Sequence, residues 1–428
     1  MHNNRTVSET TLLILADDLT GALDTGIQFA KHDISTGVLP SAETQMDSSS
    51  FPEVLVINTE TRHCSSSRVQ AVISRCVRKF TGPDVPHIYK KTDSTLRGHI
   101  GAELEALMKA RNTKQLPFVP AYPELGRTTS GGIQYLWGKP VDETEMALDP
   151  LNPITTSFIP GIIGEESMLP VRLIRKGEEI RAAAERQEIL VFDGETAEDL
   201  GKIAIQLYKK NLLGESAGCA GFARALMGVL PFKKNRESPV VQNYQNLHDR
   251  PVLIISGSLH PVSQEQIKTA LKKSYPGFAV DGEKLLQPEW FNSAEAKTLT
   301  ASCRDALKNQ GICILGTEMA LDAEKAKDLS QQPRDRSAGT ISRRLGELVR
   351  EISEKTGPLV LAVFGGDTLL GVMKAMEFTY IRPLEEILQG VALARAEGKH
   401  GNSVIITKAG SFGDRDLVQF IVEYQRMK

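Results

Sequence analysis

Short apolar runs that stop at glycine or at charged residues, each followed by a stretch of helical spacing, recur along this chain. Leu12–Ala16, Val54–Asn58, His87–Lys90, Leu116–Pro120 and Ile189–Phe192 read as strands of the first half. Val252–Ser256, Ile312–Leu315, Leu359–Phe364 and Ser403–Thr407 read as strands of the second. Between them, helices are predicted from Leu19 through Ala30, from about Arg68 to Phe80, over a face carrying Leu104, Leu107 and Met108, and from Ala197 to Lys210. Others follow over Ile267, Ala270 and Leu271, up to about Ile352, over Leu369, Val372, Met373 and Met376, and from Asp414 onward. Strands that are apolar on both faces and alternate with helices predict parallel sheets with helices packed against them. At 428 residues the chain exceeds the usual size of one domain. The polar, proline-containing stretch Phe232–Arg250 is the expected link. The reading is therefore two α/β domains, 1–231 and 251–428, with largely parallel sheets facing an interdomain cleft and residues 232–250 as the linker.

The passage from Pro120 to about Pro170 is rich in Gly, Pro and Thr and shows little periodicity. Unstructured stretches of that length are usually functional. It reads as a flap, with Val141–Asp149 laid over a ligand.

The strand ends carry the chemistry. Leu12–Ala16 stops at Asp17-Asp18, Val54–Asn58 at Thr59–His63, and His87–Lys90 at Lys91-Thr92-Asp93-Ser94-Thr95-Leu96-Arg97. In a parallel sheet these ends share one edge, where open α/β sheets hold their ligands. Asp17, Arg62, Lys90, Lys91, Thr92, Asp93, Ser94 and Arg97 then form one neighbourhood suited to a small polar anion. Arginine and lysine take a carboxylate, and the aspartates take hydroxyls or Mg²⁺.

In the second half the junctions are glycine turns: Gly257-Ser258, Gly365-Gly366-Asp367-Thr368 and Gly410-Ser411. Each alone is an ordinary tight turn. Together at one sheet edge they offer a backbone cradle for a nucleotide's phosphates, with Ser258 and Lys408 adding a hydroxyl and a charge. The sequence has neither GxxxxGK[ST] nor a GxGxxG dinucleotide fingerprint, which disfavours a nicotinamide-dependent dehydrogenase. These features point to phosphoryl transfer, with Asp17 or Asp367 orienting the acceptor hydroxyl. An ATP-binding sensor that never releases ADP is the rival from another class.

Composition narrows the partners. Lysine and arginine number 51 against 53 aspartates and glutamates, so no basic footprint marks a nucleic-acid or membrane-surface binder. No apolar run approaches the roughly 20 residues that span a bilayer. The five cysteines form no CxxC pair and are expected to be reduced and buried in a cytoplasmic protein. Oligomeric state is left open, a homo-oligomer included.

ILADDLTGALDTG, KKTDSTLRGHIGAEL, FVPAYPELGRTT, SGSLHPVSQEQI, FGGDT and KAGSFG, in that order over nearly the whole chain, resemble the four-carbon acid sugar kinase family. The resemblance implies an N-terminal domain for a four-carbon sugar acid and a C-terminal domain for ATP. It further implies Mg²⁺-dependent transfer of the γ-phosphoryl group to the C4 hydroxyl. Threonate, erythronate and 3-oxo-tetronates are the family's substrates, and D-threonate is the best single expectation. By position, Asp17, Arg62 and Lys90 to Asp93 would touch the sugar acid, its carboxylate held by Arg62 and a lysine. Ser258, Gly365 to Thr368 and Gly410 would touch ATP.

Overall fold

The computed structural model describes residues 10–44, 51–80, 85–148, 153–180, 186–233, 247–248, 250–321, 338–410 and 412–427. The chain divides into two compact units, residues 1–235 and 236–428. Most of the expected linker 232–250 lies outside the described residues, as do Asp149, Ser411 and most of the polar loop 331–339.

The strands of the first unit are β1 (Leu12–Ala16), β2 (Thr36–Leu39), β3 (Val54–Asn58), β4 (His87–Lys91), β5 (Gln115–Val119), β6 (Arg127–Ser130), β7 (Ile133–Leu136), β8 (Lys139–Pro140), β9 (Val171–Ile174), β10 (Glu188–Phe192) and β11 (Glu215–Gly218). Eight of them pair in parallel in the order β2-β3-β1-β4-β11-β5-β10-β9. The central strands β1 and β3 are buried at every position, as their uninterrupted apolar runs require. Register fixes the rim: Ala16 of β1 stands opposite Asn58 of β3 and Lys91 of β4. The residues that follow therefore emerge side by side.

The expected flap is instead folded. Arg127–Ser130, Ile133–Leu136 and Lys139–Pro140 make a three-stranded antiparallel sheet. Asp193 accepts hydrogen bonds from the Gly131 (2.8 Å) and Gly132 (3.0 Å) amides at its turn. Buried Gln134 donates to the Ser94 carbonyl (2.9 Å), tying this sheet to the loop after β4. Short pairing strands with polar faces carry no strong periodicity, so they read as loop. Within 141–148 the chain forms two 3-10 turns, and the amide of Asp142 donates to the Ser157 hydroxyl at 2.9 Å.

In the second unit the strands are β12 (Val252–Ser256), β13 (Gly277–Val280), β14 (Ile312–Thr317), β15 (Val360–Phe364), β16 (Phe378–Leu388), β17 (Val391–Gly398) and β18 (Gly401–Lys408). Five are parallel in the order β13-β14-β12-β15-β18, and β17 and β16 extend the sheet antiparallel. The core packs Val252, Ile254, Ile314, Ala362, Phe364 and Ile406 against Ile267, Leu417 and Ile421 of the flanking helices. Register again aligns the rim, since Ser256 stands opposite Phe364, and Phe364 opposite Lys408. Among the described residues no helix is long and apolar enough to cross a membrane. All five cysteines are free thiols, and Cys64 is half-buried where the other four are buried.

Candidate active site

At the carboxyl rim of the first sheet the strand ends meet in an ion-pair network. The backbone sets it up: the amides of Thr61 (3.1 Å) and Arg62 (3.3 Å) both donate to the Asp17 carbonyl. That places the Arg62 side chain across the end of β1. Its Nε donates to Asp17 Oδ2 and its Nη1 to Asp18 Oδ2, each at 2.7 Å, and Nη2 stands 3.6 Å from Asp93 Oδ1. Asp18 also caps the Leu19–Ala30 helix by accepting from the Gly21 amide at 2.8 Å. Arg97 grips Asp93 with both arms of its fork, at 2.9 and 3.1 Å.

Electrostatics follow from this geometry. Burial alone would raise the Asp17 carboxyl, but Arg62, Lys90 and Lys91 outweigh it and hold the group below the usual range. Asp93 is also buried, and Arg97 and Arg62 hold it well below that range. Both are carboxylates at neutral pH. Two acceptor atoms in this buried region have no hydrogen-bond partner among the described residues: Asp17 Oδ1 and Thr92 Oγ1. They follow paired strand ends, β1 and β4, so they are neighbours at the rim. Buried polar atoms without partners are uncommon and point to a ligand.

Beneath them lies a second pair. Lys90 is fully buried and donates to Glu103 Oε2 (3.0 Å), the Leu15 carbonyl (3.2 Å) and the Lys91 carbonyl (2.7 Å). Those three bonds use all three of its protons. Glu103 also accepts from the Thr61 hydroxyl. Burial pushes the Glu103 carboxyl up against the pull of Lys90. Lys91 donates to the Thr92 carbonyl at 2.8 Å, and a side chain added at Gly21 would meet its Nζ at 3.0 Å. Lys91 thus stands beside the first turn of the Leu19–Ala30 helix.

The second unit gathers its three glycine turns. A Cβ at Gly257 would lie 2.5 Å from Thr368 Oγ1, one at Gly365 would lie 3.2 Å from the Ser258 Cβ, and one at Gly410 would lie 3.4 Å from the His260 ring. Gly365 has φ +106°, a conformation side chains rarely adopt, and opens the Gly366–Ala375 helix with no side-chain cap. The leading amides of that helix are therefore available to an anion. His260 accepts from the Val262 amide at 3.3 Å and caps the Pro261–Lys272 helix. Asp367 is exposed in the first turn of its helix, whereas Thr368 is buried. Lys408, 1% exposed, donates to Ser263 Oγ (2.6 Å) and the Gly410 carbonyl (2.7 Å). Burial pulls its amine down to about 7.

Two family models divide the chain where the two units do. A sugar-binding N-terminal domain matches residues 12–226, and a nucleotide-binding C-terminal domain matches 253–418. A D-threonate kinase of Salmonella typhimurium is 30% identical over 421 residues, covering 94% of this chain and 95% of its own. The chain belongs to the four-carbon acid sugar kinase family. It is thus a phosphotransferase with an alcohol group as acceptor. A D-erythronate kinase of Heliobacterium modesticaldum is 26% identical over 438 residues, 96% of each chain. A solved structure from Salmonella typhimurium LT2 shares the fold with TM-score 0.71 at 20% identity, covering 96% of this chain and 98% of that one.

Glu103 and Arg127 lie within the stretches KKTDSTLRGHIGAEL and FVPAYPELGRTT, yet neither stands among the residues expected to form the site. Glu103 had a signal: it lies on the Ile100, Leu104, Leu107 face, a carboxylate within an apolar stripe. Arg127 carries no periodic signal of that kind; its Nη1 donates to the Leu125 carbonyl at 2.8 Å, and its Nε is buried without a hydrogen-bond partner among the described residues.

Proposed function

We propose that the protein is an ATP-dependent kinase that phosphorylates the C4 hydroxyl of a four-carbon sugar acid. D-threonate is the preferred acceptor and 4-phospho-D-threonate the product; D-erythronate and 3-oxo-tetronate are the alternatives. The observation that carries this reading is the pair of unpartnered buried acceptors, Asp17 Oδ1 and Thr92 Oγ1, framed by cations at one rim. Such a rim suits a molecule with several hydroxyls and one carboxylate.

Phosphoryl transfer calls for positioning and charge neutralisation more than covalent chemistry. Asp17, held ionised, accepts the hydrogen bond of the acceptor hydroxyl and can receive its proton. Its depressed basicity matters little when nucleophile deprotonation lags bond cleavage. Asp93, with both oxygens turned onto Arg97 and Arg62, fixes the loop after β4. Thr92 orients a further hydroxyl. In the second unit, Ser258, Gly365 to Thr368 and Gly410 hold ATP through main-chain amides and short hydroxyls. Exposed Asp367 lies near the phosphates rather than at the acceptor.

Mg²⁺ would accompany the nucleotide and supply neutralisation of the phosphate charge. Among the described residues no group of three or more His, Cys, Asp or Glu side chains could hold a metal. A single protein carboxylate plus nucleotide phosphates is an ordinary Mg²⁺ environment, and Asp17 or Asp367 fits it.

ADP release measured over a panel of tetronic acids, with and without Mg²⁺, tests the reading. The expected result is Mg²⁺-dependent turnover that is fastest with D-threonate. ATP binding without ADP release on any acid would make the protein a sensor instead.

A further inference from the structure

Three guanidiniums serve the sugar-acid rim, and they are not alike. Arg62 is surrounded by Asp17, Asp18 and Asp93, and Arg97 is bound to Asp93 by both arms. Arg127 differs. It begins β6, directly after the turn that leaves β5, and its backbone is locked to Tyr122 by paired hydrogen bonds of 2.7 and 3.1 Å. Its Nη1 donates to the Leu125 carbonyl at 2.8 Å. Its Nε is shut off from solvent with no hydrogen-bond partner, and among the described residues the guanidinium makes no ion pair.

Asp93 and Asp24 attract Arg127 from further off, and Arg97 repels it. Neither Asp93 oxygen is spare. Oδ2 takes the Thr95 amide and hydroxyl and the Arg97 amide and Nε; Oδ1 faces Arg97 Nη2 and Arg62 Nη2. Burial pulls the Arg127 guanidinium below its ordinary range, as expected where a partner is missing. Holding an unpaired cation in such a place is costly unless an anion joins it.

We propose that Arg127, rather than Arg62, is the anchor for the substrate's carboxylate and the residue that makes the enzyme select acids over neutral polyols. The proposal rests on the kinase reading above. Arg62 already has a carboxylate on each face of its fork, so a further anion there would meet three like charges. An incoming carboxylate would instead pair with the half-buried Arg127 guanidinium, which has no carboxylate partner among the described residues. The acid's C1 end would lie towards β5 and β6, and its hydroxyls would run back to Thr92 and Asp17. Binding neutralises Arg127 without breaking any pair the protein has made.

The test compares D-threonate with threitol, the same four-carbon chain with an alcohol in place of the carboxylate. Wild-type enzyme should strongly prefer the acid. Arg127→Met should raise KM for the acid on the order of 30-fold, consistent with loss of one partner from a hydrogen-bonded charge pair that is largely shielded from water. KM for ATP should stay within twofold, and the preference for acid over threitol should collapse. Arg127→Lys should keep part of the preference and serves where Arg127→Met folds poorly, melting curves being run on both. If either folded variant keeps the wild-type acid preference, or loses rate equally on acid and alcohol, Arg127 is merely structural and the proposal fails. Wild-type enzyme that turns over no four-carbon acid removes the kinase reading and this proposal together.

Discussion

Under the proposed function the two rims solve the same problem, holding an anionic molecule at the end of parallel strands, with opposite materials. The first is built from charged side chains already paired with one another: Asp17 and Asp18 on Arg62, Asp93 on Arg97, Glu103 on Lys90. The second is built from backbone, with Gly257, Gly365 and Gly410 pressed against Thr368, Ser258 and His260, and with one buried amine, Lys408. A small acid with hydroxyls at fixed positions must be recognised by groups that cannot drift, and mutual ion pairing removes the freedom of long side chains. Phosphates present many equivalent oxygens, so a cradle of N–H groups serves them and needs only close approach.

If the contrast is right, the two rims fail differently. The largest effect is expected at Asp17. Asp17→Asn should lower kcat by roughly 10²- to 10⁴-fold, the span typical of a positioned acid–base group. KM for ATP should hardly move. Asp367→Asn should do the reverse, raising KM for ATP with little loss of kcat. Steady-state kinetics with each substrate varied in turn separates the two; equal and small effects from both would remove the assigned division of labour.

The next effect is on folding. Removing one member of the buried Lys90–Glu103 pair strands a charge, which typically costs ~3–5 kcal/mol. Lys90→Met should therefore lower the urea midpoint markedly. The double variant Lys90→Met with Glu103→Leu should recover much of the loss, because the pair then leaves no uncompensated charge. The exposed pair Lys202–Glu198 should give almost nothing in the same experiment. Acid sharpens the point. Asp17 and Asp93 titrate lower in the folded protein than in the unfolded chain, so their stabilisation is present above the ordinary carboxylate pKa near 4 and lost as pH falls through the folded values. Circular dichroism during acid titration should show unfolding beginning below about pH 4.

How far these rims were legible depends on the physics that makes them. Continuous apolar runs marked β1, β3, β12 and β15 to within a residue, because a strand buried on both faces must be apolar throughout. Their parallel pairing then brought Asp17, Arg62 and Asp93 together without further information. β2 and β11, TGVL and ESAG, escaped because short strands of small residues carry no such run. The β16–β17 hairpin escaped because its charged positions, Arg382, Glu385 and Glu397 among them, break any apolar signal. Which cation is already spent and which is not cannot be written in a one-dimensional pattern. Lys90 reads like a ligand contact and has all its protons engaged inside the protein, whereas nothing in FVPAYPELGRTT tells that the Arg127 guanidinium has no carboxylate partner among the described residues.

On the nucleotide rim, shape should dominate. Gly257→Ala places a methyl 2.5 Å from Thr368 Oγ1, and overpacking of that kind costs roughly 1–3 kcal/mol. Spent on the ATP-bound form, this would raise KM for ATP by about 10-fold while kcat at saturating ATP and KM for the acid stay near wild type. Gly365→Ala should act in the same direction through its φ of +106°. A KM for the acid that rises with either variant would mean that the two rims are not specialised as described.

The smallest effect comes from the buried amine on that rim. Lys408 titrates at about 7 because burial disfavours its cation, and its described partners, Ser263 Oγ and the Gly410 carbonyl, bring no negative charge. A phosphate bound beside Gly410 favours the ammonium, so the amine titrates higher with ATP present than without. Between those two values ATP binding takes up a proton, and ATP affinity must fall as pH rises. KM for ATP should therefore climb a few-fold from pH 7 to pH 9 in wild-type enzyme and stay flatter in Lys408→Met. Without nucleotide the linkage runs the other way for folding. Below about 7 both states carry the proton and the burial penalty is felt in full. Above it the folded state sheds the proton while the unfolded chain keeps it to about 10.4, so stability should rise with pH across that window. Melting curves without ATP and initial rates with it thus carry opposite slopes from one amine. Parallel slopes, or none in either, would leave the second rim as backbone alone and make its contrast with the first still sharper.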